Sequence, residues 1–188
     1  MRFTSMAAFV GVTLALTAGA RAQSRTFNLR MLGANEPNAS QQLNQGDPDG
    51  VAIGSVTLDP GTDMVTWDFN YENISGAAIS GFHIHGPNAT PTTNVGVYIG
   101  FPLSSATTPS GRQTGMLMTT DIPDLGNRID AVLANPSQFY ANLHSSNNTN
   151  GTGGFPGGAV RAQLPEPGAL GVLALGALGL LRRRGRAA

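Results

Sequence analysis

Between residues 26 and 164, apolar and polar positions alternate in short runs, each cut off by Gly, Pro, Asn or Asp. Period-two alternation places successive side chains on opposite faces of a strand. Thr26–Leu32 is the first such run, and Val51–Leu58 follows, with a turn at Asp59-Pro60-Gly61. Met64–Tyr71 puts Val65, Trp67, Phe69 and Tyr71 on one face, and Asp63, Asp68 and Asn70 on the wetter face or its edges. Ile79–His85, Val95–Phe101, Thr114–Thr119, Gln138–His144 and Ala159–Leu164 complete about eight strands. One short helix is expected near Gly126–Asn135, around Asp130, Leu133 and Ala134, ended by Pro136. The Ser/Thr/Pro-rich stretch Pro102–Gly111 and the Asn/Thr/Gly-rich stretch Ser145–Gly158 read as mobile loops. There is no internal repeat. The pattern predicts an all-β domain, either an antiparallel β-sandwich or a small Greek-key barrel.

The alternation stops at both ends of the chain. Met1-Arg2-Phe3 leads into an apolar run from Met6 to Ala18, and small residues follow at Ala18, Ala20 and Ala22. That is the pattern of a signal peptide over residues 1–22, cleaved by signal peptidase after Ala20 or Ala22. An N-terminal anchor helix is the alternative, with a run short of the roughly 20 residues of a span. At the other end, Pro165-Glu166-Pro167 precedes an apolar stretch from Ala169 to Leu181 and the cluster Arg182-Arg183-Arg184-Gly185-Arg186. A helix of that length reaches about 20 Å, with the arginines on the cytoplasmic side. Residues 165–188 resemble the PEP-CTERM sorting signal of Gram-negative bacteria. The resemblance implies export, transient anchoring in the inner membrane and cleavage near Pro165–Pro167 by an exosortase-type protease. It also implies an envelope or extracellular-matrix setting. A permanent C-terminal anchor is the alternative. The folding unit is then 23–164.

This division changes the meaning of the charge. The whole chain has 11 arginines and 11 carboxylates, a formal net charge of zero. Residues 23–164 hold five of the arginines (25, 30, 112, 128 and 161) against ten carboxylates, a net of about −5. An acidic domain without lysine is a poor nucleic-acid binder, because counterion release needs clustered positive charge. Cysteine is absent, which excludes disulfides, thiol catalysis and Cys-ligated metals. Any metal must be held through nitrogen and oxygen.

The chain has three histidines. His83 and His85, in Gly81-Phe82-His83-Ile84-His85-Gly86, project together from one face of a strand, with Phe82 and Ile84 on the other. His144 ends Phe139-Tyr140-Ala141-Asn142-Leu143-His144, on the polar face with Tyr140 and Asn142. Two imidazoles at i and i+2, joined by a third from an adjacent strand, make a candidate copper or zinc site. A hydrogen-bonded polar cluster is the alternative. Asp121, Asp124 and Asp130 are possible carboxylate partners. No Gly-x-Ser-x-Gly elbow and no dinucleotide-binding glycine pattern occurs.

Residues 27–164 resemble the CHRD domain. The resemblance rests on Leu32-Gly33-Ala34-Asn35-Glu36-Pro37, Gly50-Val51-Ala52, His83-Ile84-His85-Gly86-Pro87, Tyr140-Ala141-Asn142-Leu143-His144-Ser145 and Gly158-Ala159-Val160-Arg161-Ala162-Gln163-Leu164. It carries over Glu36, His83, His85, His144 and Arg161 as motif positions. The family's last strand usually has an acid and a glycine where this chain has Ala159 and Ala162. Glu36 is then the nearest motif carboxylate for Arg161; otherwise Arg161 is a strand-surface residue paired with any nearby acid. Gly81–His85 also resembles the copper-binding strand of copper–zinc superoxide dismutase, but three histidines cannot fill that enzyme's two sites. The expectation is a non-catalytic, exported binding or structural module of the envelope or matrix. A copper- or zinc-binding module with weak redox activity is the alternative.

Overall fold

The computed structural model describes residues 23–104, 107–146 and 158–166. They form an all-β domain. In chain order the strands are β1 (Arg25–Leu32), β2 (Val51–Asp59), β3 (Met64–Glu72), β4 (Ile79–His85), β5 (Val97–Gly100), β6 (Gly111–Leu117), β7 (Tyr140–Ser145) and β8 (Val160–Gln163). One helix, α1 (Leu125–Ala134), lies between β6 and β7. It buries Leu125, Ile129 and Val132, the i, i+4, i+7 spacing of one helical face.

The eight strands make one antiparallel sheet in the order β5-β4-β7-β8-β1-β2-β3-β6. Its middle is its weakest seam. β1 and β8 share the single register pair Leu32–Arg161, whereas β1 pairs with β2 from Arg25–Leu58 through to Leu32–Val51. The sheet folds over at this seam into two four-stranded halves. Phe82 of β4 meets Phe69 of β3 edge-on at 5.1 Å and Phe101 at 4.8 Å, and Phe101 stacks on Trp67 of β3 at 4.6 Å. The two outer edges approach each other as well. The Ser104 N–H donates to Gln113 Oε1 at 2.9 Å, and the Thr114 N–H donates to Ser104 Oγ at 2.9 Å. The fold is thus a sandwich whose two layers are continuous along one side. Val65, Trp67, Phe69 and Tyr71 all face its core.

Some boundaries differ from the sequence expectation. β6 begins at Gly111 rather than Thr114, because Gly111, Arg112 and Gln113 pair with Tyr71, Asn70 and Phe69. Arg112 also forms a two-pronged bond to Asp68, both distances 2.6 Å. β6 ends at Leu117, where the Met118 carbonyl accepts the Asp121 and Ile122 N–H groups and turns the chain. Gln138 lies in the 3-10 turn Pro136–Gln138 rather than in β7. The described part of Pro102–Gly111 is anchored: Thr108 Oγ1 donates to Gly76 O at 2.7 Å, and Pro109 O accepts the Ile74 N–H at 2.8 Å. Residues 105 and 106, and 147–157 of the expected Ser145–Gly158 loop, lie outside the described residues. So do the signal-peptide segment and everything from Pro167 onward. Among the described residues no helix is long and apolar enough to cross a membrane.

Candidate metal centre

β4 and β7 are neighbours, and their register places His83 opposite Asn142, His85 opposite Tyr140 and Gly81 opposite His144. All three imidazoles therefore emerge from the outer face of the β5-β4-β7-β8 half, with Phe82, Ile84, Ala141 and Leu143 buried on the inner face. One nitrogen from each of His83, His85 and His144 lies within 4.8 Å of the others. The Nε2 atoms of His85 and His144 are 3.5 Å apart. An ion with metal–nitrogen bonds of about 2.0–2.1 Å in tetrahedral geometry holds its ligand atoms roughly 3.3 Å apart. The His85–His144 pair already has that spacing, and His83 completes the set by a side-chain adjustment on the order of 1 Å. The three side chains are thus placed where they could hold a metal ion.

Space for the His83 ring comes from a glycine. A Cβ on Gly81 would lie 2.6 Å from His83 Cε1, and one on Gly100 would lie 3.7 Å from His83 Cδ2. The His83 imidazole occupies the gap that Gly81 leaves, whereas a Cβ on Gly100 would make only ordinary van der Waals contact.

His85 is the most constrained of the three. Its Nδ1 lies 2.8 Å from the Val95 carbonyl, and its ring stacks on Tyr140 at 4.8 Å with 2° between the planes. A carbonyl only accepts, so Nδ1 carries the proton and the lone pair is on Nε2, which faces His144 Nε2 at 3.5 Å. Burial lowers the pKa of all three imidazoles, to about 4 for His83 and about 3 for His144, and the neighbouring imidazoles add to the effect at those two. The rings are neutral at physiological pH, the form that binds metal.

Behind the histidines the same face is polar and closed. Glu36 is fully buried and accepts a bond from Asn142 Nδ2 at 2.7 Å. Burial pushes its carboxyl up to about 8 against the opposing pull of Arg161 and Asn142, and its Oε2 has no hydrogen-bond partner. Arg161 is 1% exposed, which corrects its reading as a strand-surface residue. Its NH1 donates to Thr93 O at 2.9 Å and Asn94 Oδ1 at 3.3 Å, and its NH2 donates to Thr90 O at 2.6 Å. Its guanidinium lies 3.4 Å over the Tyr140 ring. Arg161 thus feels Glu36 as a charge, but its hydrogen bonds go to a loop rather than to that carboxylate. Ala159, in the place of the family acid, is buried, and its carbonyl accepts the Asp47 N–H at 2.9 Å.

Asp121, Asp124 and Asp130 stand apart from this cluster. Asp121 accepts the Met118 N–H, Asp124 pairs with Arg128 at 3.0 Å, and Asp130 lies on α1. Of the sorting-signal residues, Pro165 and Glu166 are described: Arg25 NH2 donates to Pro165 O at 2.5 Å, and Glu166 Oε1 accepts the Ser137 N–H at 3.2 Å. Pro167 lies outside. Sequence reasoning missed Thr90–Val95, because this irregular loop acts, the Asn94 side chain apart, through carbonyls that leave no side-chain signature. Tyr140 and Asn142 carried one signal, their place on the His144 face of β7.

Neither a curated protein nor a solved structure matches this chain. Residues 33–164 match the model of the CHRD domain. That match spans the sheet from the end of β1 to the end of β8 and includes all three histidines, Glu36 and Arg161, and the chain belongs to the CHRD domain family.

Proposed function

We propose that this protein is an exported, non-catalytic CHRD module that binds a copper or zinc ion through His83, His85 and His144. The observation that carries the reading is the convergence of three imidazoles on one face, with ligand nitrogens within 4.8 Å of one another. Nitrogen-only donors in this number suit zinc or copper. His83 and His144 are half-buried rather than sealed, which leaves the ion accessible to a further ligand from solvent. Export and an envelope or matrix location are supported by the two terminal segments of the sequence. The processing partners are signal peptidase and an exosortase-type protease.

Metal content and end masses of the full chain, expressed in a Gram-negative host with the sorting system, test the reading. About one equivalent of copper or zinc is expected, with affinity falling more than about 100-fold in His83→Ala, a larger loss than removal of an outer partner causes. Cleavage after residue 20 or 22 and near residues 165–167 is expected. Metal content near zero in both proteins leaves a binding or structural module without a metal. Intact termini would remove the export reading.

A further inference from the structure

Resting on the metal reading of the three histidines, we infer that Arg161 is a positioning residue that sets His85 as an Nε2 ligand, acting through the Tyr140 ring and the Thr90–Val95 segment.

Two separate restraints hold His85, and Arg161 touches both. The first is the Tyr140 ring. β7 lies between β4 and β8, so Tyr140 stands between His85 and Arg161. The guanidinium packs 3.4 Å over the ring, and the ring lies parallel to the His85 imidazole. The second is the loop. Arg161 binds the Thr90 and Thr93 carbonyls and Asn94 Oδ1, and the next residue, Val95, supplies the carbonyl that takes the His85 Nδ1–H. Val95 N–H in turn lies 3.4 Å from Tyr140 Oη, closing the circuit. Asn94 Nδ2 also donates to Pro37 O at 3.1 Å, tying the loop to the β1–β2 connection.

A buried guanidinium is costly to desolvate, and its planar fork is suited to several fixed acceptors at once while its face stacks on an aromatic ring. Lysine has the charge without that geometry. By holding the loop and the ring together, Arg161 keeps the Val95 carbonyl aimed at Nδ1. The His85 proton stays there, and the lone pair stays on Nε2, facing His144.

The test uses the full chain and two readouts. Two-bond proton–nitrogen NMR correlations of the imidazoles report the His85 tautomer without metal, and chelator competition reports zinc affinity. Wild type is expected to show His85 wholly as Nδ1–H. Arg161→Lys is expected to show mixed tautomers and a 10- to 100-fold weaker zinc affinity, on the scale of losing an outer partner of a ligating histidine. Should Arg161→Lys fail to fold, Asn94→Ala replaces it: this exposed side chain bonds both Arg161 and Pro37, and its loss is expected to mix the tautomers to a lesser degree. A His85 that stays wholly Nδ1–H in the folded variant overturns the inference. So does a weakened affinity with the tautomer unchanged. A wild-type chain that binds no zinc or copper sinks the metal reading instead, while the metal-free tautomer comparison still decides the role of Arg161.

Discussion

Glu36, Arg161 and His85 are buried and His83 and His144 half-buried on one face, and burial shifts the protonation of the carboxyl and of the imidazoles in opposing directions. Glu36 has a folded pKa of about 8 against an ordinary 4.5. Its contribution to stability is therefore complete below pH 4.5 and is lost as pH rises through 8. His83 and His144 titrate near 4 and 3 against 6.5. Their contribution is complete above 6.5 and is lost as pH falls through 4 for His83 and through 3 for His144. Glu36→Gln retains an acceptor for Asn142 and removes the ionisation. Urea midpoints of the metal-free protein are expected to fall from pH 6.5 to about 8 and level off above it in wild type, and to stay level throughout in Glu36→Gln. Parallel curves for the two proteins would show that Glu36 does not ionise in this range.

At the scale of the element, β4 is a strand with two tasks. Its inner residues, Phe82 and Ile84, belong to the core, and its outer residues, His83 and His85, belong to the site. Register shifts flank it, between Ile79 and Gly81 toward β7 and between Ile84 and His85 toward β5. Such irregularities re-aim side chains locally. Gly81 is where the two tasks meet, because only the absence of a Cβ admits the His83 ring. The obstacle is the tip of a side chain rather than backbone, so Gly81→Ala is expected to fold with little loss of stability. Displacing the ring is expected to weaken zinc binding about tenfold or more, on the scale of disturbed ligand orientation. Titration of the variant beside wild type checks this, and equal affinities would show that His83 is not a ligand.

On the scale of the molecule, the fold depends on contacts across the sandwich, since the β1–β8 seam is narrow and the chain has no disulfide. Phe82 lies at the centre of that interface, against both Phe69 and Phe101. Phe82→Ala is expected to cost about 4 kcal/mol, in the range for buried aromatic truncations. Denaturant unfolding followed by tryptophan fluorescence and by far-UV circular dichroism checks it. The two probes are expected to coincide in wild type, because Trp67 stacks on Phe101 across the same interface. A loss below about 1 kcal/mol would mean that the halves hold together elsewhere.

Much of this was legible in the sequence. Strand alternation is local: it depends on residues two apart, and it located the eight strands of the described residues and the shared face of His83 and His85, while the helix was marked by Asp130, Leu133 and Ala134 before Pro136. The same periodicity put Tyr140, Asn142 and His144 on one face of β7. What lay beyond it was adjacency. Whether β7 lies beside β4, so that His144 meets the other two, depends on how the chain crosses between halves, and no local pattern encodes that. The burial of Glu36 and Arg161 was illegible for a related reason. A polar face reads as solvent-exposed until the irregular segments 33–50 and 86–96 are laid over it. Many of their bonds use backbone groups that every residue type possesses, beside those of the Asn35, Glu36 and Asn94 side chains. The sequence by itself determined the strands, the composition of the site and the residue types available for ligation. Tertiary structure decided which of them meet and which are sealed from water, because strand order and loop cover arise from contacts between residues far apart in the chain.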